Sequence, residues 1–196
     1  MADAKKTQDK FRRPLLKSAL AVAATAAVAG PAPVLAETFL KLGDIVGESV
    51  DSKHKGEIEV LSFSQSFINT LSLGTGGGGG AGKVECGPIT MMKSIDSASP
   101  MLLKGVATGE HFPQAVITFR ANDIKSAAAP EYYVITMKDV FVTELSQTDS
   151  ADPNRIFEKV VLNARSFDFK YTPTSVKGSL GKPVSFKYDC ASNKAS

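Results

Sequence analysis

Hydrophobic and polar residues alternate along most of the chain with a period of two, the spacing that sends successive side chains to opposite faces of a strand. Glu57, Ile58, Glu59 and Val60 alternate, and Leu61, Phe63 and Phe67 continue on the opposite parity. That phase change predicts one strand over 57–67 carrying a β-bulge, as where a sheet curls. Residues 37–42 with 45–46 read as a short first strand broken at Gly43-Asp44, and 84–92 as a strand interrupted by Gly87-Pro88. Alternation returns at 115–120, 132–138, 140–145, 156–162, 167–171 and 184–188, with Phe167, Phe169 and Tyr171 on one face. Residues 115–120 are expected to pair with 132–138 across the polar, Ala-rich connection 121–130. The count is about eight or nine strands at hairpin spacing.

One segment departs from that period. Leu102 with Val106, and Leu103 with Val106 and Ala107, stand three and four apart, which predicts a helix with one apolar face. Ser99 is expected to cap it, Pro100 suits its first position, and Gly109 can end it in a left-handed conformation. A lone helix on an otherwise β chain predicts a mainly β (α+β) fold, a small antiparallel β-barrel of two sheets with the helix over one side or end.

The 196 residues, 43% hydrophobic and 22% charged, suit one domain with a sizeable core. The formal charge of +3 comes from the N-terminus: the first 36 residues hold six Lys or Arg against two Asp or Glu, and the remainder nets −1. A near-neutral domain gives no electrostatic reason to expect nucleic acid or anionic lipid as a partner.

Residues 1–36 read as a signal peptide: a basic start, an Ala-rich run from Ser18 to Gly30, Pro31 and Pro33, then Val34-Leu35-Ala36. Cleavage is expected after Ala36, leaving 37–196 as the domain. The apolar run is shorter than the roughly 20 residues that span a bilayer, so no stable membrane insertion is expected after cleavage. Arg12-Arg13, followed by Leu15, Leu16 and Lys17, resembles a twin-arginine signal, with the general secretory route as the other reading. Either route places the mature chain in the periplasm or medium.

Candidate chemistry is sparse. Gly77-x-x-x-x-Gly82-Lys83 satisfies most of a phosphate-loop pattern, but Val84 stands where Ser or Thr would ligate magnesium, and a strand follows instead of a helix. Nucleotide binding is therefore not expected. The run Gly76, Gly77, Gly78, Gly79 and Gly80, ending at Lys83, predicts instead a mobile loop of the kind that orders against a partner. Asp51 and His54 read as a hydrogen-bonded turn, and His111 as a turn residue, either solvated or satisfied by a hydrogen bond. No catalytic, cofactor-binding or metal-ligating set emerges, so an enzyme is not expected. Cys86 and Cys190 are the only cysteines. In an exported chain they can pair, closing a loop of about 105 residues worth roughly 4 to 5 kcal/mol, or remain two small apolar residues in strands.

Laid out in order, the segments resemble the Hcp family, the tube proteins of type VI secretion systems. The residues that carry the resemblance are Phe39 to Leu42, Ile45 to Ser49, Asp51 to Ser64, the glycine tract through Lys83-Val84, and Asp96 to Pro100. Gly109-Glu110-His111, the strand at Asp139, Phe167 to Tyr171 and Gly178 to Gly181 complete the series. The resemblance implies a β-barrel with one helix that assembles into hexameric rings stacking as a tube. Its implied partners are further copies of itself, secreted effectors, and spike or sheath proteins, with the segment 74–83 reaching toward neighbouring rings. Glu85-Cys86-Gly87-Pro88 stands where the family commonly has Gln-Asp. Because family members are assembled in the cytoplasm and then secreted, the leader sets an alternative beside the tube: an exported Hcp-like binding module detached from the injection machine.

Overall fold

The computed structural model describes residues 37–70, 82–121, 129–149, 156–173 and 180–196. Among them the elements run β1 (Glu37–Leu42), β2 (Ile58–Val60), β3 (Ser62–Ser64), β4 (Phe67–Asn69), β5 (Val84–Cys86), β6 (Ile89–Ser94), α1 (Ser99–Thr108), β7 (His111–Arg120), β8 (Glu131–Asp149), β9 (Ile156–Tyr171), β10 (Val184–Asp189) and β11 (Lys194–Ala195). The mainly β, one-helix architecture and its two sheets follow the pattern read from the sequence.

The larger sheet is antiparallel and runs β2-β1-β7-β8-β9. The free edge of β9 is then divided. Phe157 to Leu162 pair with β6, and Ser166 to Tyr171 pair with β10. β3 lies beyond β6, and β11 beyond β10. β4 and β5 form a separate two-stranded sheet. Alternation supplies the core: Leu40 and Leu42, Ile58, Ile89 and Met91, Ile117, Ile135 and Met137, and Leu162 are all fully enclosed.

The sheet curls, yet it does not close into the barrel expected from the sequence. The expected single strand over 57–67 is three short ones that change partner. β2 pairs with β1, whereas β3 pairs with β6. Leu61 sits at the corner, 58% exposed, with its N–H donating to the Met92 carbonyl at 2.7 Å. The parity change in the sequence is real, but it marks a strand handing over between partners rather than a bulge. Gly47 packs against the start of β2 so closely that a Cβ there would lie 2.5 Å from the Glu57 carbonyl oxygen.

Two further expectations merge. The segments 132–138 and 140–145 are one strand, β8, and 156–162 and 167–171 are one strand, β9. Asp139 has φ 52°, so the buried parity changes from Ile135 and Met137 to Val140 and Val142 without ending the strand. Asp tolerates this left-handed backbone better than most residues. Residues 45–46 form no strand; Ile45 makes an isolated bridge to Leu42.

Helix α1 ends as expected, with Gly109 left-handed at φ 63° and its N–H on the Gly105 carbonyl. Its start differs. Ala98 occupies the cap position without a side-chain bond to the helix, Ser99 is the first helical residue, and Pro100 lies in the first turn. Leu102 is fully buried and Val106 half-buried, but Leu103 is 52% exposed. The face that packs is narrower than the spacing suggested because Gly105 takes a buried position, where Phe112 and Val142 approach to 3.4 and 3.5 Å of a would-be Cβ.

Candidate functional site

Lys83, the last residue of the predicted loop, closes the base of a hairpin. Its carbonyl accepts the Thr70 N–H at 3.1 Å and the Thr70 hydroxyl at 2.9 Å. Below that closure Asn69 pairs with Val84, Ile68 with Glu85 and Phe67 with Cys86. Gly76 to Gly80 lie outside the described residues, as do Arg12, Arg13 and the Ala36 junction. The glycine tract is therefore borne on a small sheet of its own, not on the main one.

That small sheet rests on aromatic side chains. The Phe67 ring meets Phe167 and Phe169 edge-on, with centroids 5.4 and 5.6 Å away, and Tyr188 at 6.5 Å. Between the two sheets runs a groove of about 500 Å³ lined by Phe63, Phe67, Val84, Tyr133, Phe169 and Phe186. Phe186 is 50% exposed and Val184 66% exposed. Aromatic side chains exposed together at the rim of a sheet offer a surface for a protein contact. These aromatics come from β3, β4, β8, β9 and β10, so the face is built from positions far apart in sequence; the alternation of Phe167, Phe169 and Tyr171 was its only linear signal.

The sequence reading leaves Cys86 and Cys190 open, and the structure joins them as a disulfide, with Cα atoms 6.2 Å apart. Cys190 follows β10 in the turn toward β11, where its N–H donates to the Arg165 carbonyl at 2.9 Å. Asn193 in the same turn has φ 54°, and its Oδ1 accepts the Val84 N–H at 3.0 Å. The C-terminal turn thus holds β5 by one covalent bond and one hydrogen bond.

A second cluster escaped the sequence reading entirely. Lys93 and Glu158 are directly opposed across β6 and β9 and both are buried. Lys93 Nζ donates to Glu158 Oε2 at 2.9 Å, Asp96 Oδ1 at 2.7 Å, Ser99 Oγ at 3.1 Å and the Ser94 carbonyl at 2.7 Å. The Ser99 hydroxyl donates to Glu158 Oε2 at 2.6 Å, and Gln147 Nε2 to Glu158 Oε1 at 2.8 Å. Burial pushes the Glu158 carboxyl up, but the Ser99, Gln147 and Lys93 hydrogen bonds and the Lys93 charge outweigh it and hold the pKa below its ordinary value. Ser99, expected to cap the helix, instead ties its first turn to the sheet.

The histidines are structural. Asp51 Oδ1 accepts the N–H groups of Lys53 and His54, the turn the sequence predicted. His54 is buried, stacks on Phe39 with centroids 4.4 Å apart, and has Nδ1 3.0 Å from Glu57 Oε2. Arg120 joins this end of the fold to Glu37 and Asp51. His111 is not a turn residue: it begins β7, opposite Phe141, with Nε2 3.1 Å from Asp139 Oδ1. Pro113 and Gln114 follow it within the strand, so the polar composition hid the strand's start. No set of three or more His, Cys, Asp or Glu among the described residues could hold a metal, and no described helix is long and apolar enough to cross a membrane.

Comparison with known proteins agrees with this geometry. The model of the type VI secretion system effector family Hcp matches residues 39–171. Protein hcp1 of Pseudomonas aeruginosa is 36% identical over 158 residues, covering 80% of this chain and 96% of that protein. The solved Hcp1 of Salmonella typhimurium superposes with a TM-score of 0.67 at 33% identity, over 83% of this chain and 99% of that one. A solved type six secretion system protein reaches a TM-score of 0.75 at 23% identity, over 82% and 99%, a likeness of fold. The chain belongs to the Hcp family of type VI secretion system effectors.

Proposed function

We propose that this chain forms hexameric rings that stack into the tube of a type VI secretion system and leave the cell with it, carrying effectors, with spike and sheath proteins as its other partners. The observation that carries the reading is the family match over 39–171, reinforced by identity across nearly the whole of Protein hcp1. Membership in the Hcp family fits work done by surfaces rather than by a reactive centre. Rings need contacts that close on themselves, and a long sheet with exposed apolar side chains beside a hairpin-borne loop offers both lateral and stacking contacts. The 74–83 segment, with Gly76 to Gly80 at its centre, is assigned to stacking. The family match does not favour a detached exported binding module.

The leader is a separate proposal that competes with the tube: residues 1–36 direct export, by Arg12 and Arg13, and are removed after Ala36, which would place the chain outside the cytoplasm where a tube is assembled. One experiment addresses both proposals. The protein is purified from cytoplasm, periplasm and medium of its host, its N-terminus is read by mass spectrometry, and its particles are imaged by electron microscopy. Hexameric rings or tubes support the assembly reading, and a monomer at high micromolar concentration overturns it. A mature chain beginning at Glu37 supports the leader; a secreted chain that retains residues 1–36 overturns that part alone.

A further inference from the structure

We propose that the Cys86–Cys190 disulfide is a redox latch that clamps the two-stranded β4–β5 sheet over the aromatic face of β9 and β10, so that reduction lifts the sheet and opens the groove beneath it. Few other described ties fasten this unit to the C-terminal turn. β4 and β5 hydrogen-bond to each other as a sheet apart from the main one. Beyond the chain itself, the described ties from β5 to the C-terminal turn are the disulfide and the Val84 N–H on Asn193 Oδ1. Its other contacts include Phe67 edge-on against Phe167, Phe169 and Tyr188, with Phe67 itself 39% exposed, and Cys86 against the edge of the core. The unit otherwise joins the main sheet where β4 follows β3 and β5 leads into β6, with the Gly87 N–H on the Ser66 carbonyl at that junction, and a hairpin end with no fully buried residue is the sort that opens locally without global unfolding.

The chemistry is thiol–disulfide exchange with a dithiol reductant. A thiolate of the dithiol attacks one Sγ, the Sγ–Sγ bond breaks, and the departing Sγ takes up a proton. The second thiol of the reductant then attacks the mixed disulfide, releasing the other cysteine as a thiol and leaving the reductant oxidised to its own disulfide. Both cysteines are half-buried, which leaves the bond within reach of a small dithiol. Once it is broken, the base of the loop at Thr70 and Lys83 is tied to the C-terminal turn by the Val84 N–H on Asn193 Oδ1 without a covalent bond beside it. Groove residues such as Phe169 and Tyr188 then become open to a partner. The proposal does not depend on ring assembly.

Hydrogen exchange on the full chain tests it, with dithiothreitol as the reductant and complete reduction read as the gain of two hydrogen atoms in the intact mass. The expected result is exchange on the order of tenfold faster or more at Phe67–Asn69, Val84–Cys86 and Lys194–Ala195, with the β7–β8 ladder unchanged. Unchanged protection in β4–β5 after full reduction overturns the latch. So does acceleration spread equally over β7 and β8, which would make the bond a staple of the whole fold. The double variant Cys86→Ser with Cys190→Ser is expected to show the fast pattern without reductant, and a further response to dithiothreitol in that variant would also count against the proposal.

Discussion

Lys93 illustrates how much a single buried side chain governs here. Its ammonium is enclosed with Glu158, Asp96 and Ser99, and each of those groups is oriented toward it. Lys93→Met leaves the Glu158 carboxylate buried without its cation and is expected to cost about 3 to 5 kcal/mol in denaturant unfolding. The network also sets a pH dependence. A carboxyl whose pKa is depressed by folding contributes stability that is fully present above its unfolded value, near 4.5, and is lost as pH falls through the lower folded value. Melts from pH 7 to pH 3 are expected to show stability falling below about pH 4.5. Glu158→Gln is expected to start less stable at pH 7 and to fall with a shallower slope. None of this was legible in the sequence. Lys93 and Glu158 lie on separate strands, and a charged residue at an inward parity position reads as a break in the pattern until its partner is seen.

At the level of elements, what could be read depended on how local the signal was. Gly109 announced the end of α1, and its left-handed φ leaves open space around a new Cβ. Gly109→Ala is therefore expected to cost about 1 kcal/mol through backbone strain alone, measured as a shift in the unfolding midpoint. Most strands were found for the same reason, since alternation is written into each one. Their boundaries were not. Asp139 flips the buried parity of β8 in mid-strand, so a two-residue period breaks where the hydrogen-bonded ladder continues. The run 57–67 failed oppositely, reading as one strand because composition does not reveal a change of partner. For the proposed assembly surface, the glycine tract was conspicuous, but the aromatic face beneath its hairpin required Phe67, Phe169 and Phe186 to be brought together from distant segments.

At the scale of the molecule, the open, curled sheet leaves its apolar rim and its hairpin free for neighbours. Deleting Gly76 to Gly80 is expected to leave folding within about 1 kcal/mol of the parent, because shortening a loop changes its closure entropy little. The same deletion is expected to shorten or abolish tubes seen by electron microscopy while single rings persist. Loss of the folded domain would instead assign those glycines to the fold.

The position of β1 between β2 and β7 governs the order of events during synthesis. Leu40 meets Ile58 soon after both have left the ribosome, but its other neighbour, Ile117, belongs to a strand that emerges only after the helix. β6 waits longer still, since Met91 pairs with Val160. The nascent chain therefore spends much of its translation with strand edges unsatisfied, and folding of so non-local a topology proceeds on the order of milliseconds to seconds. The interval in which this protein is exposed to mispairing closes only when β10, which covers the last open edge of β9, has been made.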